Sequence, residues 1–312
     1  MSVNATFREG RAIADLSEPA QWPSQNDMKW EGRRQSTNLE DRRGMSPAGR
    51  TIIGGGFGLL LILALALFTG ADPLRLMSEL AVEPGSIQTQ QSAPAPDDDI
   101  RKFVGTVLAD TEEVWEESFA RSGRRYTPPR LVLYSGVTRV PGGMAQGASG
   151  PFYLPADQTI YLDFSFFEQM RRQFGMRGDF AAAYVIAHEV GHHVQQQLGL
   201  TDKVHRLAGR VPQEEYNRMS VRLELQADFL AGVWAHHAQQ RWDILEEGDI
   251  DEAINAAEVV GDDRLQESTR GYVVPDSFTH GTADQRRRWF LKGFRSGRLS
   301  EGDAFSVPYN QL

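Results

Sequence analysis

Residues 180–198 read Phe180-Ala181-Ala182-Ala183-Tyr184-Val185-Ile186-Ala187-His188-Glu189-Val190-Gly191-His192-His193-Val194-Gln195-Gln196-Gln197-Leu198. The turn before His188 is almost wholly apolar, so this run predicts a helix whose imidazoles enter a core, where buried ring nitrogens need partners. His188 and His192 stand at i and i+4, one turn apart on one face, and both rings can reach a single metal ion. Glu189 lies between them, placed to hold and deprotonate water at such a metal. His193 is about 100° around the helix from His192 and cannot share that face, which leaves it a surface or supporting role.

A catalytic zinc needs a third protein ligand and one open position. The extended pattern H-E-x-x-H-x-x-G-x-x-H is excluded, because Gln195 and Leu198 occupy its last two fixed positions. A carboxylate on a following helix is the other solution, and Arg222-Leu223-Glu224-Leu225-Gln226-Ala227-Asp228 supplies one. Glu224 and Asp228 are again i and i+4. Their neighbours Val221, Leu223, Leu225, Phe229, Leu230, Val233 and Trp234 are apolar nearly all round, so solvating two acids there is costly. Glu224 is therefore expected to ligate zinc, and Asp228 to accept a proton from a ligating imidazole and fix its tautomer. A third cluster, Ser277-Phe278-Thr279-His280-Gly281-Thr282-Ala283-Asp284-Gln285-Arg286, opens another helix with Thr282 as N-cap. Position alone leaves His280 between an inert loop residue and a donor to the oxyanion of a tetrahedral intermediate.

Around these motifs the pattern predicts an α+β layout. A helix is expected over 100–120, a strand at Leu131–Tyr134, a glycine-rich loop from Pro141 to Gly150, and a hairpin of Phe152–Leu154 with Thr159–Leu162. Helices follow at about 164–174, 180–198, 213–240, 249–260 and 282–295. The 159–162 strand is expected to be an edge that pairs with extended substrate.

Composition narrows the chemistry. There are no cysteines among 312 residues, which removes disulfides, thiolate metal sites and cysteine nucleophiles. A net charge of −9 offers no basic face for a nucleic-acid backbone, so none is expected as partner. The first fifty residues are polar and mixed in charge and predict a disordered tail. Residues 51–70 carry no charge and run from Ile52 through Gly54-Gly55-Gly56 to Phe68, about the 20 residues that a bilayer core requires. Arg33, Arg34, Arg42, Arg43 and Arg50 lie upstream of this stretch, and only Arg75 lies between it and Arg101. The positive-inside bias then predicts a single-pass inner-membrane protein. Its parts are a cytoplasmic tail (1–50), a transmembrane helix (51–70), a linker (71–99) and an exported, periplasmic domain (100–312).

The run Tyr184–Gln195, with Glu224-Leu225-Gln226-Ala227-Asp228, resembles the bacterial neutral zinc metallopeptidases. So do Gly150-Pro151-Phe152-Tyr153, Gly261-Asp262-Asp263-Arg264-Leu265, Val274–Thr282, Trp30-Glu31-Gly32-Arg33-Arg34 and Glu40-Asp41-Arg42-Arg43-Gly44. The resemblance covers nearly the whole chain and implies a gluzincin-type zinc peptidase with a zincin-like fold, acting on protein or peptide substrates and anchored in a membrane. It implies His188, His192 and Glu224 as zinc ligands and Glu189 as general base. Glu224-x-x-x-Asp228 with Thr279-His280 and Arg286 is also similar to the prenyl-protease and heat-shock protease group, which strengthens a role for His280 beside the metal. Relatives place cysteines where this chain has Leu154 and Phe229, so any disulfide support is absent here. The reading from another class is a zinc-binding scaffold at the membrane that turns nothing over; an intact Glu189 speaks against it.

Overall fold

The computed structural model describes residues 28–43, 98–146, 150–163, 165–167, 178–264, 266 and 272–312. The apolar stretch 51–70, the N-terminal 27 residues and most of the linker lie outside these. No described helix is long and apolar enough to cross a membrane.

Two apolar runs and one short acidic strand build a parallel sheet. β1 (Leu39–Asp41) pairs with β2 (Arg130–Tyr134), and β2 pairs with β6 (Thr159–Asp163), with Leu131 in register with Leu39 and Ile160. β5 (Phe152–Leu154) adds antiparallel to β6, so the order is β1-β2-β6-β5. A separate hairpin, β3 (Val137–Val140) with β4 (Gly143–Gln146), occupies part of the stretch expected to be a loop. The mixed α+β layout is as expected. The substrate edge is not: β6 is hydrogen-bonded on both sides, by β2 and β5, and has no free ladder to offer. The exposed edges of this sheet belong to β1 and β5.

Helix α1 (Asp99–Arg121) starts at Asp98, whose carboxylate accepts the Arg101 amide at 2.8 Å. It buries Phe103, Val104, Val107, Leu108, Trp115 and Phe119. Helix α2 (Asp179–Gln197) carries the H-E-x-x-H run and is buried along most of its length. The short α3 (Leu200–His205) follows, then α4 (Gln213–Trp242), α5 (Asp249–Val259) and α6 (Ala283–Ser296). Helix α6 opens with a full capping box, Thr282 and Gln285 each satisfying the other's backbone N–H, and ends at Gly297 in the left-handed region.

Three glycines at two crossings set how closely the helices approach. A Cβ on Gly191 of α2 would sit 3.1 Å from the Ala227 carbonyl oxygen of α4. At the α4–α6 crossing, Gly232 lies against the Phe290 carbonyl and Gly293 against the Phe229 carbonyl, so a side chain at either would force the helices apart. Residues 227–229 of α4 are thereby held between α2 and α6.

The tail expected over 1–50 is corrected for residues 28–43, which are folded onto the domain. Trp30 and Met28 are buried, and Trp30 meets Phe103 edge-on at 5.8 Å between ring centroids. Burying one large apolar side chain contributes roughly 1.5–3 kcal/mol, one part of what offsets the entropy of ordering this segment. Polar partners complete the strap: Arg33 to Asp110 at 2.6 Å, Arg34 to Glu112 at 3.1 Å and to Glu113 at 2.9 Å, and Arg43 to both Asp41 and Asp98 at 2.6 Å. The Met28 amide donates to the buried Asp179 carboxylate at the start of α2. The mixed charge that reads as solvated tail is the complement of acids on α1.

A candidate metal centre between α2, α4 and α6

The i, i+4 spacing does what it predicts. The His188 and His192 rings lie 4.8 Å apart at right angles, and the Glu224 carboxylate from α4 faces both. Its two oxygens stand 3.2 Å from His188 Nε2 and 3.5 Å from His192 Nε2. One donor atom from each of the three residues falls within 4.8 Å of the other two.

The opposite ring nitrogens are already engaged. His188 Nδ1 lies 2.8 Å from Asp228 Oδ1, and His192 Nδ1 lies 2.9 Å from Gln195 Oε1. A carboxylate and an amide oxygen only accept, so both rings carry a proton on Nδ1 and turn Nε2 toward Glu224, whose carboxylate also lies within hydrogen-bond distance of His188 Nε2. Gln195 is itself locked, its amide donating to the Leu223 carbonyl at 2.7 Å and to Gln226 at 3.1 Å. Asp228, fully buried, takes Arg286 Nε at 2.8 Å, Arg286 Nη2 at 2.9 Å and the Tyr184 hydroxyl at 2.5 Å. Tyr184 is i−4 from His188 and continues its face; burial first, then the charge of Asp228, keeps its hydroxyl protonated well above the usual range.

Charge in this cluster is strongly coupled. Burial disfavours the His188 imidazolium, yet Asp228 and Glu224 together push its pKa up to about 9. Burial likewise opposes ionisation of Glu224, but the charge of His192 and hydrogen bonds from both histidines hold it well below the usual carboxylate range. Without a cation, a proton on the imidazole occupies the place of positive charge. The donor set suits zinc: with the metal in place of the imidazole proton it would offer two neutral imidazole nitrogens and one carboxylate oxygen, with no thiolate needed. His192 and Glu224 keep 19% of their side-chain surface exposed, so the cluster has a side open to water.

Glu189 is nearly buried at the same cluster, close enough for its charge to act on His192. Among the described residues, no side chain hydrogen-bonds its carboxylate. His280 sits on the turn before α6, half-exposed, with Nδ1 3.2 Å from Asp262 Oδ1. Burial lowers its pKa and the Asp262 hydrogen bond with the charges of Glu224 and Asp262 more than restores it, so the net direction is up. The buried Asp262 carboxylate also accepts the backbone amides of Thr279, His280 and Gly281, at 2.7, 2.6 and 3.1 Å. It fixes the whole turn.

The residues singled out by sequence thus converge: His188, Glu189, His192, Glu224 and Asp228 form one cluster, with His280 on its rim. His193 is corrected. It is fully buried, donating from Nε2 to the Thr127 carbonyl at 2.7 Å while Nδ1 meets the Tyr153 hydroxyl at 3.0 Å, which ties β5 to the motif helix. Gln195 and Asp262 were not assigned these roles by sequence. The i+3 spacing from His192 was a signal for Gln195; nothing local marks Asp262, whose partners lie across a loop.

An uncharacterized protein of Escherichia coli K12, YpfJ, is 47% identical over 290 residues, covering 89% of this chain and 99% of that one. An uncharacterized protein of Mycobacterium tuberculosis H37Rv is 36% identical over 256 residues, covering 73% of this chain and 84% of its own. No solved structure matches. Residues 28–305 match the family described as putative neutral zinc metallopeptidase, so the match begins at the buried strap and includes every residue of the cluster. The chain belongs to that family.

Proposed function

We propose that this protein is a zinc-dependent endopeptidase in which His188, His192 and Glu224 hold the metal and Glu189 is the general base. The observation that carries this reading is the pair of Nε2 atoms, each ring fixed by a partner on Nδ1, facing one carboxylate. Bound there, zinc supplies a Lewis acid that acidifies water and polarises a carbonyl. Glu189 takes the proton from the attacking water and returns it to the leaving amine. His280, steered by Asp262, donates a hydrogen bond to the oxygen that gains charge in the tetrahedral intermediate. The extended substrate pairs with β5 rather than β6, because β5 is the outer strand and its Tyr153 is tied to His193 on the motif helix.

The test compares hydrolysis of an unfolded protein by the full chain and by Glu189→Gln, each loaded to equal zinc content. Cleavage by the wild type with loss in the variant supports the enzyme. Equal zinc in both with no cleavage by either supports the rival, a zinc-binding scaffold; failure of either to hold zinc removes the ligand set.

A further inference from the structure

The support of His192 continues past Gln195 into the C-terminal segment. A run of buried polar groups links them: His192 Nδ1 to Gln195 Oε1 at 2.9 Å, Gln195 Nε2 to Gln226 Oε1 at 3.1 Å, and Gln226 Nε2 to the Gly302 carbonyl at 2.9 Å. The Gln195 nitrogen also donates to the Leu223 carbonyl at 2.7 Å. Gln195 and Gln226 are both buried and stand on different helices, α2 and α4, while Gly302 follows the end of α6.

The direction of this run is set at its far end. A side-chain amide presents an oxygen on one side and a nitrogen on the other, and turning it end for end exchanges acceptor for donor. A main-chain carbonyl only accepts. Gly302 therefore requires the Gln226 nitrogen, which aims the Gln226 oxygen at Gln195. That oxygen and the Leu223 carbonyl take up both protons of the Gln195 nitrogen, and the Gln195 oxygen is left facing His192. An oxygen there requires a proton on His192 Nδ1, so Nε2 is the nitrogen left to a metal. Reversing Gln195 would set oxygen against oxygen at two buried contacts, and reversing Gln226 would do so against Gly302.

The far end is firmly held. Gly302 packs on the Phe229 ring, which an added Cβ would overlap. Arg222 of α4 donates to the carbonyls of Ala304 and, at 2.8 Å, of Val307, with its guanidinium 5.8 Å from the Tyr309 ring centroid. Leu312 is buried, and its main-chain oxygen accepts Arg288 of α6 at 2.7 Å. The segment 302–312 is thereby fastened to α4 and α6.

We propose that Gln226 is a positioning residue of the metal centre: held by the Gly302 carbonyl, it orients the Gln195 amide and so keeps a proton on His192 Nδ1. The C-terminal segment thus acts on His192 through two side chains. This rests on the ligand set His188, His192 and Glu224, and adds to it a residue that is no ligand itself.

The test is a double-mutant cycle in the full chain between Gln195→Leu and Gln226→Met, read as zinc affinity by competition with a chelator. Methionine keeps the volume of Gln226, so the fold is retained. Alone, Gln226→Met removes one hydrogen bond from Gln195 and should weaken zinc binding by roughly three- to tenfold. In the Gln195→Leu background the same change should cost less than about twofold, because no amide remains to be oriented. Equal losses in both backgrounds would overturn the proposal, since loosened packing does not depend on Gln195; so would no loss in either. A second reading needs no metal. In zinc-free protein labelled with nitrogen-15 at histidine, the His192 Nδ1–H signal, identified by its absence from His192→Gln, should exchange with water faster in Gln226→Met by a similar factor. An unchanged exchange rate would overturn the proposal. If the wild type holds no zinc while this signal still depends on Gln226, the ligand set falls and the positioning role of Gln226 stands.

Discussion

The metal cluster and the N-terminal strap are both built from charged residues brought against helices, yet they fold by opposite logic. In the cluster, His188 and His192 come from one turn of α2 with Gln195 at i+3 engaging His192, and Glu224 and Asp228 come from one turn of α4, so within each helix the geometry is local. In the strap, the residues that hold it to the domain find partners far along the chain: Trp30 with Phe103, Arg33 with Asp110, Leu39 with Leu131. Local order permits a site to be read from spacing. Long-range order hides a structural element inside a sequence that looks like tail.

Breaking the two regions separately should give different signatures. Glu224→Ala removes the carboxylate of the proposed donor set. Zinc per chain should fall below half at micromolar metal and hydrolysis by on the order of 10³-fold, measured by metal analysis and kinetics, with the fold retained. Trp30→Ala should do the reverse. It costs about 3–5 kcal/mol in denaturant unfolding, while zinc affinity of the folded fraction stays unchanged. Unchanged stability in that variant would mean the strap is ornament, and the contrast would collapse.

A pH series separates them further. His188 in the metal-free protein has its pKa raised from 6.5 to about 9. A raised folded pKa contributes stability fully present below pH 6.5 and lost as pH rises through about 9. Thermal unfolding of the metal-free protein should show a loss of up to about 3 kcal/mol across that window, and the zinc-loaded protein should not, because metal replaces the proton. The lowered pKa of Glu224 describes the same pairing from the acid side, not a second contribution. A flat profile in the metal-free protein would show that His188 is not held by Asp228 and Glu224.

Smaller effects should come from the supports. Gln195→Leu frees His192 Nδ1 and should weaken zinc binding by roughly 10–100-fold with no change in the ligands themselves. Asp262→Asn should leave zinc affinity unchanged and lower kcat by about tenfold, because His280 loses its orienting charge while the metal keeps its donors. A fall in zinc affinity in that variant would place Asp262 with the metal supports instead.

Much of this was legible without coordinates. The motif helix, the shared face of Glu224 and Asp228, the α+β layout and the absence of sulfur chemistry all follow from residue type and helical period, since i, i+4 spacing on an apolar helix is a geometric statement in itself. The sequence also marked 51–70 as apolar enough for lipid.

What only the tertiary structure decided are the relations between segments far apart in the chain. It makes β5 the outer strand and β6 an inner one, since pairing partners cannot be read from a single strand's pattern. It turns His193 inward to hold β5, and gives Asp262 the turn that carries His280. Above all it returns residues 28–43 to the domain they appear to precede. Burial of Trp30 and the pairing of its arginines with acids on α1 need a partner surface that no local window contains.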